Sequence, residues 1–163
     1  MIPTDKIVYR VSPIPDKITR IVRETLVSPQ YKSLAAVVSV ADGYGPCRSC
    51  LRLFDEGSDY RIFFTYNSFE GRAKLPDPGP VFIHKEDCVP YSENGFPGDL
   101  LNVPLLLEAF GDNAVLLSRV GVDAVNVNSQ IEGIFADSDV RYINLRNREA
   151  GCFVATIERV TSL

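Results

Sequence analysis

The sequence predicts an α+β domain built on a mostly antiparallel sheet, and three observations carry that expectation. Val140–Arg146 and Cys152–Arg159 alternate apolar and polar residues and are joined by a tight turn around Asn147–Gly151, the pattern of a hairpin with one buried face. Only two segments show helical spacing, set among some seven short β-rich runs. The links between those runs are mostly hairpin-sized, whereas a parallel sheet needs a long crossover between its strands.

In chain order, Lys6–Val11 alternates weakly and reads as a short strand. After Pro13 and Pro15, Asp16 caps a helix that runs to about Leu26, with Ile18, Ile21, Val22 and Leu26 on one face and Pro29 as its stop. Leu34–Ala41 is short, apolar and β-branched, and ends at Asp42-Gly43-Tyr44-Gly45-Pro46, so it reads as a buried strand. Tyr60–Tyr66 and Val81–His84 are strands separated by a polar loop that contains Gly71, Pro76, Pro78 and Gly79. Leu105–Phe110 and Ala114–Arg119 flank Gly111-Asp112-Asn113, a hairpin turn, although Asp99–Arg119 also admits a helical reading. Asn128 or Ser129 opens a short helix that ends near Asp137. No repeat appears and no linker separates two units, so residues 1–163 are expected to form a single domain.

Composition narrows the function classes. With 45% apolar residues, 23% charged residues and a net charge of −4, the chain suits a soluble globular domain and lacks the basic footprint of a nucleic-acid or anionic-membrane binder. The longest apolar stretches, Leu34–Ala41 and Val103–Phe110, fall well short of the roughly 20 residues that span a bilayer. The opening carries Asp5, Lys6 and Arg10 where a secretory signal needs an unbroken apolar core. These features point to the cytoplasm. There thiols stay reduced, and cysteines close in sequence suggest metal binding or reactivity before a disulfide.

The scarce residues are grouped. Cys47 and Cys50 form a Cys-x2-Cys pair, and His84 and Cys88 form a His-x3-Cys pair, using the only histidine and three of the four cysteines. Each pair can aim two ligand atoms at one point, the first in a tight turn and the second across one helical turn through Lys85-Glu86-Asp87. Zinc takes four such ligands. Three thiolates and a neutral imidazole leave the site near −1, which Arg48, Arg52 and Lys85 are placed in sequence to offset. Leu51 departs from a zinc knuckle, where a small residue follows the second cysteine. Cys152 falls in an alternating strand and reads as a core residue, with a reserve role as a ligand should His84 point elsewhere.

Two other readings use the same residues. In one, these cysteines are buried core thiols, as free cysteine commonly is, and His84 is merely hydrogen-bonded. Alternatively, Cys47 is a redox or nucleophilic thiol, either at the start of a helix over Leu51–Phe54 or paired with His84. A serine triad is excluded while His84 is a ligand, and no Gly-x-Ser-x-Gly turn is present. Gly43-Tyr44-Gly45-Pro46 is too short for a phosphate-cradling loop. Asp55-Glu56 and Glu86-Asp87 read as solvated turns, and Tyr66, Phe69, Tyr91 and Phe96 as aromatic packing that might line a pocket. Arg48 and Arg146 are candidates for forked binding of a carboxylate or phosphate.

Pro46-Cys47-Arg48, Leu51, the run Gly79-Pro80-Val81-Phe82-Ile83-His84 and the ending Arg146-Asn147 to Gly151-Cys152-Phe153 resemble the bacterial Domain of Unknown Function 1203 (DUF1203) family. The resemblance covers nearly the whole chain and is strongest over Gly45–Cys88 and Tyr142–Arg159. It implies a small single-domain bacterial protein and carries over no catalytic role. It also implies that any shared ligand rests on Cys47, Arg48, Arg146 and Asn147, with Cys50, His84 and Cys88 belonging to one branch. The leading expectation is therefore a non-catalytic domain with a structural zinc on Cys47, Cys50, His84 and Cys88 that binds a small molecule or a protein. The alternatives are a thiol-dependent enzyme or redox protein using Cys47, with Arg48 and His84 nearby, and a metal-free interaction module.

Overall fold

The computed structural model describes residues 8–31, 34–43, 45–69 and 79–160. The expected strand start at Lys6, the turn residue Tyr44 and the loop residues Gly71, Pro76 and Pro78 lie outside the described residues. The elements are β1 (Val8–Ser12), α1 (Asp16–Thr25), β2 (Val37–Val40), β3 (Tyr60–Tyr66), β4 (Gly79–His84), β5 (Leu105–Phe110), β6 (Leu116–Gly121), α2 (Val127–Phe135), β7 (Tyr142–Asn147) and β8 (Phe153–Val160). The fold is α+β, with two antiparallel sheets where the sequence suggested one. A five-stranded sheet has the order β1-β8-β7-β5-β6 and a three-stranded sheet the order β2-β3-β4.

Each sheet buries one face against one helix. Leu105, Leu107 and Ala109 of β5, Ile143 and Leu145 of β7, and Ala155 and Ile157 of β8 pack with Val127, Ile131 and Phe135 of α2. Ile62 and Phe64 of β3 and Val81 and Ile83 of β4 pack with Val22 of α1 and with Ile14. Alternate residues of these strands enter these cores, while Phe110 and Tyr142 of the large sheet pack with Phe69 in a third cluster. The β7–β8 hairpin is as expected: Asn147 Oδ1 accepts from the Glu149 and Ala150 N–H groups, and Gly151, at φ 78°, supplies the left-handed residue that closes the turn.

Several local expectations are corrected. Leu34–Ala41 is not a buried strand. Val37–Val40 forms the strand, at the edge of the small sheet, Ala35 makes an isolated bridge to Val27, and Val37 is 57% exposed. An apolar run shows β propensity but not which strand sits at an edge. Asp16 is the first residue of α1 rather than its cap, and the helix ends at Leu26 in a left-handed conformation (φ 55°), before Pro29. The hairpin reading of Leu105–Arg119 holds and the helical one does not, although Ala114 belongs to the turn and β6 begins at Leu116. Cys152 is not a core residue of the strand. It is half-buried in the turn ahead of Phe153.

Candidate metal centre

Cys47 and Cys50 sit on a tight knuckle between the sheets. The Leu51 N–H donates to the Cys47 carbonyl at 2.9 Å, and the Cys47 N–H donates to Arg52 O at 2.9 Å, folding the chain back so that Pro46 bridges Leu53. No helix follows the pair, which removes the basis for a thiol activated by a helix N-terminus over Leu51–Phe54. Leu51 takes φ 60°, the left-handed conformation that favours glycine, while its side chain is buried at 1% exposure. The second pair begins at the last residue of β4. The expected helical turn from His84 to Cys88 is absent: Lys85 and Glu86 form a bend, and Cys88 lies in irregular backbone.

The two pairs nevertheless converge. One ligand atom from each of Cys47, Cys50, His84 and Cys88 lies within 4.8 Å of all the others, an arrangement that can hold a metal ion. Cys47 Sγ is 3.8 Å from Cys88 Sγ, and Cys50 Sγ is 3.5 Å from His84 Nδ1. The Ser49 and His84 backbone N–H groups donate to Cys47 Sγ at 3.4 and 3.3 Å. All three thiols are free.

Two further residues hold the cluster from outside. Asp59 Oδ2 lies 3.1 Å from His84 Nε2 and also accepts from the Asp55 N–H at 2.7 Å. A proton on Nε2 shared with that carboxylate leaves the Nδ1 lone pair directed at the sulfurs, as a metal-ligating imidazole requires. Arg23 of α1 donates from Nη2 to Cys88 Sγ at 3.3 Å and from Nε to the His84 carbonyl at 3.0 Å. The charge next to the sulfurs therefore comes from Arg23, and Lys85 instead lies over the Tyr60 ring at 5.6 Å.

The four groups share protons strongly. Hydrogen bonding to Cys47, then to Cys88, pushes the His84 imidazole up to about 10 against the effect of burial. Hydrogen bonds from Cys47 and then Cys50 hold the Cys88 thiol far below its ordinary value. The same contacts, with burial, drive Cys50 far up. Ligation of a metal ion would require these thiols and the imidazole to give up their protons. Asp59 is held below the usual carboxylate range by the Asp55 N–H first and by His84 second.

A cleft of about 710 Å³ opens on one side of the cluster, lined by Cys50, His84 and Cys88 and, farther out, by Arg52, Val89 and Tyr91. Cys47, the sulfur singled out as a nucleophile, is fully buried and does not line it. A family model described as a protein of unknown function, DUF1203, matches residues 44–159. The chain belongs to the DUF1203 family. The DUF1203 match takes in all four clustered residues and Asp59 but not α1, so Arg23 reaches the site from outside it. No curated protein and no solved structure matches the chain.

The other residues that the sequence put forward as ligand-binding within the DUF1203 match are largely occupied. Arg48 is 4% exposed and donates at 2.7 Å to both Phe153 O and Pro46 O. Burial lowers its pKa to about 10. Its guanidinium joins backbone to backbone and is not presented to a ligand. Asn147 spends its side chain on the β7–β8 turn. Arg146 pairs through Nε with the buried carboxylate of Glu108, which Arg119 grips at 2.9 and 2.6 Å. Arg146 and Cys152 do line a smaller pocket, apart from the cluster. Tyr66 and Phe69 are buried in packing but also line that smaller pocket, whereas Tyr91 stands on the wall of the cleft beside the cluster. Asp59 and Arg23 were not legible as site residues, because each acts across a chain separation of 25 and 65 residues respectively.

Proposed function

We propose that this protein is a non-catalytic binding domain stabilised by a structural zinc ion on Cys47, Cys50, His84 and Cys88, and that it works in the cytoplasm. The observation that carries the reading is the size of the cluster. Tetrahedral zinc, with Zn–S of about 2.3 Å and Zn–N of about 2.0–2.1 Å, has S···S edges of about 3.8 Å and S···N edges of about 3.5 Å. The Cys47–Cys88 and Cys50–His84 separations are 3.8 and 3.5 Å. Four protein ligands leave no open position for water or substrate, so the ion holds the fold rather than catalysing a reaction.

The binding surface in this reading is the cleft beside the metal. Its wall carries Asp59, Asp87, Glu93 and Asp99 against the single cation Arg52, with Val89, Pro90 and Tyr91 as an apolar shelf. That lining suits a small molecule or protein segment that presents a cationic group. No described helix is long and apolar enough to cross a membrane.

Elemental analysis of protein expressed with zinc supplied tests the metal. One zinc per chain is expected, with Cys50→Ser lowering both zinc content and thermal stability. Protein that folds with zinc far below one per chain overturns the reading. So does a Cys50→Ser variant that keeps its full zinc content.

A further inference from the structure

We propose that Cys88 is an oxidative modification site, with Cys47 as the thiol that converts it to a disulfide and the bound metal ion as what the reaction expels. Only the last part rests on the zinc reading, because the two sulfurs are neighbours with or without a metal.

The two cysteines are unlike in the way the chemistry needs. Cys88 is half-buried and lines the open cleft, so a small oxidant reaches its sulfur from solvent. Cys47 is fully buried 3.8 Å behind it. Arg23 Nη2 donates to Cys88 Sγ at 3.3 Å and so orients the sulfur at the cleft. Cys47 is fixed by the N–H groups of Ser49 and His84, whereas Cys88 follows a bend in irregular backbone outside any helix or strand. Closing a disulfide takes the sulfurs from 3.8 Å to about 2.05 Å, within reach of a side-chain rotation and a small loop shift. Cys152 has no such partner: its sulfur faces the Ala150 carbonyl at 4.0 Å, and it lies outside the cluster.

The oxidant is a hydroperoxide. The Cys88 thiolate attacks one peroxide oxygen, the O–O bond breaks, hydroxide leaves, and Cys88 becomes a sulfenic acid. The Cys47 thiolate then attacks that sulfur, the S–O bond breaks, a second hydroxide leaves, and the S–S bond forms. With hydrogen peroxide as the hydroperoxide, two electrons pass from the two sulfurs to it, and the buffer protonates both hydroxides to water. Cys50 and His84 are then the only ligands left, two fewer than a structural zinc site uses.

The test uses the full chain, with its metal content measured first, treated with hydrogen peroxide in the presence of a chromogenic zinc chelator. Titratable thiols should fall from four to two, peptide mapping should give a Cys47–Cys88 crosslink, and one metal ion should be released per disulfide. A reductant should restore all four thiols. Cys152→Ser should respond at an unchanged rate, dropping from three thiols to one. Oxidation of Cys152 or Cys50 ahead of Cys88 overturns the proposal, as does a sulfinic acid at Cys88 without a crosslink. The two readings also fail separately. Metal-free protein that closes the same crosslink refutes the zinc and supports the thiol pair. Zinc-loaded protein whose thiols survive a large excess of peroxide refutes the pair and leaves the zinc standing.

Discussion

Asp59→Asn isolates the outer support of the metal site. Asp59 Oδ2 lies 3.1 Å from His84 Nε2 and 2.7 Å from the Asp55 N–H, and an asparagine side-chain oxygen can still accept from both without the charge. Removing an outer-shell partner of a ligating histidine lowers metal affinity by about 10–100-fold. The Asp59 side chain is 34% exposed, so water screens part of its charge, and the lower end, about 10–30-fold, is expected. That equals about 1.4–2.0 kcal/mol. Because binding to the folded state alone adds stability by mass action, the same energy leaves the metal-loaded protein at a fixed free zinc level. At about 2–4 °C per kcal/mol for a chain of this size, Tm should fall by about 3–8 °C with zinc and hardly move without it. Competition against a chelator of known affinity gives the binding term, and thermal scans of the two forms give the other. An equal fall in both forms would show that Asp59 serves only the turn at Asp55. Unchanged affinity would remove the carboxylate–imidazole–metal arrangement altogether.

Leu51→Gly sets backbone against core. Glycine relieves a left-handed residue, worth about 1–2 kcal/mol, yet deletes a fully buried leucine, worth at least the roughly 2–5 kcal/mol of a Leu→Ala change. Urea unfolding should show a net loss of about 1–3 kcal/mol with zinc content unchanged, and a gain in stability would mean that the conformation, not the packing, dominates. Arg48→Met leaves the Phe153 and Pro46 carbonyls without their donor and should cost about 2–4 kcal/mol by the same measurement. A loss under about 0.5 kcal/mol would show that the gain from burying methionine offsets both bonds.

The parts of the fold that were legible are those where neighbouring residues settle the environment. The β7–β8 hairpin declares itself because every second residue from Ile143 to Leu145 and from Ala155 to Ile157 enters one core. The two ligand pairs were legible for a similar reason: a two- or three-residue gap limits where two side chains can point. The third dimension was not. Leu34–Ala41 has the composition of a central strand, but its place at an edge depends on β3 and on the lack of any strand beyond it. Cys152 is in phase with β8, yet the register slip between Leu145 and Arg146 sets Arg146 opposite Phe153 and leaves the cysteine in the turn. Asp59 and Arg23 look like ordinary surface charges until β3–β4 pairing and the docking of α1 bring them to His84 and Cys88.

The position of the knuckle shows what a metal ion would add at this point of the fold. Consecutive residues there enter different cores: Cys47 and Cys50 pack with α1 and the small sheet, and Leu51 packs with α2 and the large one. The same turn is tied to both sheets and to the segment ahead of α1. The Arg48 N–H donates to Phe82 O of β4 at 3.0 Å, the Arg48 side chain donates to Phe153 O of β8, and the Ile14 N–H donates to Arg48 O at 3.0 Å. The turn that carries these links is itself held in an unfavourable conformation at Leu51, so its hydrogen bonds work against local strain. A four-ligand ion would fix the knuckle to the end of β4 through side chains rather than backbone. It would thereby secure one of the short segments that enter both cores, beside Val11–Ile14 and Phe153–Val154, and releasing it through Cys88 would loosen that joint while leaving the interior of each core packed.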